Sequence, residues 1–144
     1  MNNVHFLTGK DDWETPQELY DKLDEEFGFT LDPCATKENA KCAKYYTLQE
    51  DGLAQNWAGE IVFCNPPYSR RGKNKPGQED WIKKCYDEAQ KGAKVIALLP
   101  ARTDTRAFHS YIYHKAEIRF IRGRIKFGGA KNSAPFPSML AIWG

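Results

Sequence analysis

The run Glu60-Ile61-Val62-Phe63-Cys64 leads straight into Asn65-Pro66-Pro67-Tyr68, and this restricts the fold more than any other feature of the chain. Apolar, β-branched and aromatic residues bounded by turn formers read as a strand. Two consecutive prolines cannot donate to a ladder or continue a helix, so the strand must stop at a rigid corner. A second stretch has the same form: Phe29-Thr30-Leu31 reads as a short strand closing at Asp32-Pro33.

Between and after these corners the pattern alternates. Thr15 is placed as an N-cap, with Pro16 at the first helical position and Glu18 at capping-box spacing. Leu19, Leu23 and Phe27 then share a helix face, and Gly28 supplies the stop. Residues 36–59 read as a helical turn in "KENAKCAKYY", a short strand in "KYYT" and a loop in "EDGLAQNW". A second helix is expected where Trp81, Ile82, Cys85 and Ala89 recur at helical spacing, ending at Gly92. "KVIALLPA" is a near-continuous apolar strand of the kind buried inside a parallel sheet. A third helix is expected from about Asp104 to Lys115. "EIRFIRGRIKF" and "SMLAIWG" read as two final strands joined without a helix. Strands alternating with helices imply a three-layered α/β fold, mostly parallel, with an antiparallel terminal element. Ligands of such sheets bind beyond the carboxyl ends of the strands, which puts both corners in one crevice.

With 144 residues, 41% hydrophobic and 13% aromatic, the chain has enough apolar material for one domain, residues 1–144, and is not of disordered composition. No apolar run approaches the about 20 residues of a membrane span, and "MNNVHFLTGKDDW" lacks a signal-peptide pattern, so a cytoplasmic location is expected. Cys34, Cys42, Cys64 and Cys85 include no C-x-x-C pair. They read as free thiols in a reducing cytosol, with no metal site. The net charge of +2 conceals a split: residues 1–60 hold 5 Lys/Arg against 13 Asp/Glu, and residues 61–144 hold 16 against 6. A balance of +10 in the second half points to a polyanion partner.

The Asn65–Tyr68 corner offers two hydrogen-bond acceptors, the Asn65 side-chain oxygen and a carbonyl of the Pro66-Pro67 turn, beside the ring of Tyr68. They suit a planar aromatic substrate whose exocyclic amino group has two hydrogens to donate, such as adenine. Holding both hydrogens favours a pyramidal nitrogen with its lone pair turned to an electrophile. This is catalysis by positioning and electrostatics.

"NPPY" after a strand resembles the catalytic motif of amino-group methyltransferases that use S-adenosylmethionine. The whole chain is similar to the small phage-type DNA N-6-adenine methyltransferases, the Dam-like family. The similarity runs through "WETPQELYDKLDEEFGFTLDPCA", "DGL", "FCNPPYS", "LLPARTDT", "IRFIRGRIKF" and "APFPS". It implies a single-domain, Rossmann-like class I methyltransferase fold, S-adenosylmethionine as methyl donor and adenine in DNA as acceptor. By the same resemblance Asn65, Pro66, Pro67 and Tyr68 are catalytic. Asp32, Pro33, Cys34 and Ala35 border the methionine part of the cofactor, with Trp13, Thr15 and Pro16 from the preceding motif. The Thr15 hydroxyl is expected on the cofactor carboxylate and Asp51 on its adenine. Two departures from the broader methyltransferase pattern stand out. "CATKENA" replaces the usual G-x-G loop, and the short span from Asp32 to Asn65 implies a reduced strand–helix unit.

For DNA the candidates are Arg70, Arg71, Lys73 and Lys75 in one loop, and Arg122, Arg124 and Lys126 near the last hairpin, all suited to phosphates. Chemistry on the adenine amino group requires the base to leave the stack. Phe127 and Phe136, beside "APFPS", are placed as the other wall for that base. No obligate protein partner is evident. The rival readings are an amino-group methyltransferase acting on RNA or protein glutamine, disfavoured for protein by the basic half, and a non-catalytic nucleic-acid-binding module.

Overall fold

The apolar run at residues 94–100 needs cover on both faces. The computed structural model, which describes residues 13–69, 72, 75–128 and 132–144, provides it. Four strands, β1 (Ile61–Cys64), β2 (Lys94–Pro100), β3 (Glu117–Phe120) and β4 (Ser138–Trp143), form one sheet in the order β1-β2-β4-β3. Val95, Ala97 and Leu99 of β2 face one cluster with Trp81, Ile82, Cys85, Phe108 and Ile112, while Ile96 and Leu98 face the other with Tyr20, Leu23 and Phe136. Helix α1 (Gln17–Phe27) therefore covers one face and α2 (Gln78–Gln90) the other. The result is a small three-layered α/β fold.

The sheet is mixed rather than mostly parallel. β1 pairs parallel with β2, whereas β4 runs antiparallel to both β2 and β3. β4 is buried along all six residues and takes a central position, while β3 is left at the edge with Phe120 exposed. Only the first part of "EIRFIRGRIKF" is a strand. Ile121 makes the last ladder bond, to the Ser138 carbonyl, and Gly123 then turns the chain with a φ of +78° that favours glycine. Beyond β1 the ladder continues as isolated parallel bridges, Leu31 to Val62 and Asp32 to Tyr45. The "FTLD" segment thus lies beside β1, tied by the Phe63 amide donating to the Leu31 carbonyl at 3.0 Å, and "KYYT" lies beside "FTLD" on its far side.

Both helical stops expected at glycine are present. Gly28 adopts φ +69° and donates to the Asp24 carbonyl at 2.8 Å, and Gly92 donates to the Ala89 carbonyl at 3.2 Å. The start of α1 differs: Pro16, not Thr15, is the cap residue, and no side chain caps the helix. Thr15 is buried, with its hydroxyl turned towards Asn65. The third helix is short. Its Phe108–Ile112 segment is π-helical, with the Tyr113 amide donating to the Phe108 carbonyl at 2.8 Å. Between Asp32 and the start of β1 the chain forms a 3-10 turn at Gly52–Ala54 and no α-helix. Among the described residues no helix is long and apolar enough to cross a membrane.

Candidate active site

Parallel pairing of the 29–32 segment with β1 brings their carboxyl ends side by side. A narrow cleft there is lined by Trp13, Thr15, Asp32, Cys34, Lys41 and Asn65. The two corners expected to share a crevice therefore do so. Pro16, Pro33, Ala35 and Asp51 do not line the cleft; the Ala35 amide is spent on the Tyr46 carbonyl at 3.0 Å. A broader groove lined by Leu53, Lys75, Asp80, Lys83, Lys84 and Asp87 mixes both signs of charge and holds none of the corner residues.

Asn65 is held by the strap that precedes α1. Its Nδ2 donates to the Trp13 carbonyl and to the Thr15 hydroxyl, the latter at 2.9 Å. A carbonyl can only accept, so the side-chain atom facing Trp13 must be the nitrogen. Oδ1 is then turned away, buried and without a partner. A buried acceptor left unpaired costs about 1–3 kcal/mol, and in a cleft it marks where a ligand's donor would be welcome.

Asp32 is almost fully buried at 5% exposure, and its Oδ2 accepts from the Lys41 amide at 3.0 Å. Burial pushes its carboxyl up to about 6, against the lowering effect of the Lys41 and Cys34 amides and the Lys41 charge. A carboxyl so placed gains from a cationic ligand group. The 51–54 turn closes on the same corner because residue 52 is glycine: a Cβ there would lie 2.1 Å from the Pro33 carbonyl oxygen. Asp51 takes a left-handed φ of 57° at the head of this turn. Nothing in the sequence alone singled out Lys41 or the burial of Glu88, and Gly52 entered only as part of "DGL". The Glu88 carboxylate accepts from the Trp57 amide at 2.6 Å and from Lys84 and Lys91. Burial acts to raise its pKa, and these bonds together outweigh burial and hold the pKa low.

Tyr68 is fixed in place. Its hydroxyl donates to the Leu98 carbonyl at 2.9 Å, and burial pushes the phenol well above its ordinary range, so it stays a donor and is no base. Its ring meets Phe136 at 5.4 Å and Phe127 at 6.3 Å, both edge-on, and Trp13 meets each of those at 5.4 Å. The four aromatics form one cluster at the strand end. Phe127 is buried at 2% exposure and supports the cluster from within rather than forming an open wall. Arg102, also absent from the sequence reading, lies over the Phe136 ring at 5.9 Å.

Arg122, Arg124 and Lys126 are exposed and alternate with buried Ile125 and Phe127. This segment is tied to the site, since the Gly128 amide donates to the Glu14 carbonyl at 2.8 Å. Lys75 is exposed in a tight turn paired with Gly72. Arg70, Arg71 and Lys73 lie outside the described residues. None of the four cysteines is in a disulfide. Burial pushes the Cys42 thiol up to about 11 and that of Cys64, beside Asn65, well above 9, which makes both poor nucleophiles.

An α/β sheet thus sets an Asn-Pro-Pro-Tyr corner and a buried aspartate at adjacent strand ends, with a basic segment tied alongside. The sequence places it further. The model of the DNA N-6-adenine-methyltransferase (Dam) family matches residues 6–143, and the chain belongs to that family. It is 33% identical over 115 residues to the DNA N-6-adenine-methyltransferase of Escherichia phage T1, covering 78% of this chain and 45% of that protein. It is 36% identical over 62 residues to the protein of the same name from Haemophilus phage HP1, covering 42% and 36%. The matched part thus spans less than half the length of either relative.

Proposed function

We propose that the chain transfers a methyl group from S-adenosylmethionine to the N6 amino group of adenine in DNA, as a single-domain, Rossmann-like class I methyltransferase. The observation that carries this is the buried, partnerless Oδ1 of Asn65, a residue that lines the same cleft as Asp32. The names of the phage relatives support the same acceptor.

The chemistry of the cleft's donors and acceptors supports the methyl donor. The buried Asp32 carboxylate would hold its ammonium, the Thr15 hydroxyl its carboxylate, and Asp51, across the Gly52 turn, its adenine amino group. When bound, the donor supplies a methyl group on a sulfonium. Asn65 Oδ1 and a carbonyl of the Pro66-Pro67 turn take the two hydrogens of the target amino group, which raises the nucleophilicity of a nitrogen otherwise conjugated with its ring. Methylation would leave the amino nitrogen with one proton in excess, and Asn65 Oδ1 and the turn carbonyl, which hold its hydrogens, would pass that proton to solvent. Tyr68 stacks on the flipped base, worth about 1–3 kcal/mol, with Phe136 and Phe127 behind it. Arg122, Arg124 and Lys126, with Lys75, Arg70, Arg71 and Lys73, would engage phosphates.

Asn65→Ala and Tyr68→Ala test this reading. Both should remove most methyl transfer to DNA while urea unfolding shows an intact domain. Undiminished turnover in the two variants would overturn the role assigned to the corner. Transfer confined to RNA or to glutamine would keep the corner and overturn the acceptor.

A further inference from the structure

The geometry points to Thr15 as the positioning residue that orients the Asn65 amide and so couples occupancy of the donor site to capture of the target base. This rests on the reading proposed above and deepens it. An amide has two orientations that differ by half a turn, and they present opposite chemistry to a ligand. With Oδ1 on the side away from the strap the corner accepts from an amino group; with Nδ2 there it would meet that group donor to donor.

The strap makes the choice. The Trp13 carbonyl excludes Oδ1 from its side, and Thr15 Oγ1 takes the second Nδ2 hydrogen at 2.9 Å. Thr15 is 4% exposed, so water competes little for that bond. Having accepted through its oxygen, the hydroxyl still has its own hydrogen to donate, and it faces the same cleft as Asp32. An anionic group of the donor that takes this hydrogen polarises the hydroxyl and strengthens its hold on Nδ2. The strap is itself fixed by the Gly128 amide on the Glu14 carbonyl and by the Trp13 ring against Phe127 and Phe136. Thr15 thus transmits the state of one half of the cleft to the other.

The arrangement also explains why the corner carries asparagine. Asn65→Asp would retain an oxygen for the target amino group but would set a second oxygen against the Trp13 carbonyl.

The experiment compares the full chain with Thr15→Val, Thr15→Ser and Asn65→Asp. It follows hydrogen exchange of the Asn65 side-chain amide by NMR, the S-adenosylmethionine dissociation constant by calorimetry, and kcat on duplex DNA at saturating donor. The Asn65 amide hydrogens should be protected in the wild type and lose protection in Thr15→Val. In that variant kcat at saturating donor should fall about tenfold or more, in addition to the weaker donor binding that follows from losing the hydroxyl. Thr15→Ser should restore both protection and rate, and Asn65→Asp should lose at least as much rate as Thr15→Val. Wild-type kcat in Thr15→Val or in Asn65→Asp would overturn the inference. So would a Thr15→Val defect confined to donor affinity, or an unprotected amide in an active wild type. A protected amide in a wild type that methylates no acceptor would refute the proposed function, and the coupling with it.

Discussion

Replacing Asp32 by asparagine should stabilise the fold while weakening the donor site, and the size of the effect should depend on pH in a defined direction. Asp32 is 5% exposed, and burial moves its carboxyl from the ordinary 3.8 to about 6. A group whose folded-state pKa is raised contributes fully below its unfolded pKa and loses that contribution as pH rises through the folded value. Its ionisation therefore becomes a growing cost between about pH 4 and pH 6. A shift of about two units gives a cost of about 1 kcal/mol near pH 4.5 and about 3 kcal/mol near pH 7.5, relative to a side chain that never ionises. Asparagine retains an acceptor for the Lys41 amide, and any hydrogen bond it forfeits shifts both pH values equally. Urea unfolding at the two pH values should thus show the Asp32→Asn variant gaining about 2 kcal/mol more on the wild type at the higher pH. An offset that is constant, or that shrinks as pH rises, would refute the placement of a buried, costly carboxylate at this corner. Calorimetry supplies the functional half. Wild-type affinity for S-adenosylmethionine should rise as pH passes through about 6, and the substitution should flatten that rise and weaken binding above it.

Gly52→Ala would push a Cβ to 2.1 Å from the Pro33 oxygen and 3.2 Å from the Trp81 ring. It should cost about 1–3 kcal/mol in urea unfolding and weaken donor binding, and an unperturbed variant would contradict the close approach. Glu88→Ala strips the Trp57 amide of its acceptor and leaves Lys84, itself mostly buried, without its carboxylate partner. A loss of about 3 kcal/mol is expected by chemical denaturation, far above that of an exposed pair. Tyr68→Phe removes only the bond to Leu98. It should cost about 1 kcal/mol of stability and keep most turnover, because stacking is retained. Neutralising Arg122, Arg124 and Lys126 together should lower the salt slope of DNA binding by about 2–3. An unchanged slope would remove that segment from the interface.

The corners were legible because prolines act locally: "CNPPY" and "LDP" end their segments whatever surrounds them. The burial of β2 on both faces followed from its unbroken apolar run. Sheet order was harder to read, because β3 and β4 differ mainly in how completely they are apolar. That difference placed β4 inside and β3 at the edge. Thr15 shows the limit of local rules. Its capping signal was sound by sequence, yet a partner 50 residues away claimed its hydroxyl. The roles of Gly52 and Glu88 escaped notice for a similar reason, since they depend on Pro33 and Trp57, which only the folded chain brings near. Phe127 and Phe136 were placed at the right corner by their position in the chain. Their degree of burial was not readable there.

The most direct test is the fate of the methyl group. The chain should be incubated with S-adenosylmethionine labelled in its methyl group and unmethylated duplex DNA, and the DNA digested to nucleosides. The account predicts label in N6-methyl-2′-deoxyadenosine, dependent on Asn65. Label in a methylated cytosine, or no label in DNA while RNA or protein offered in parallel is methylated, would contradict it.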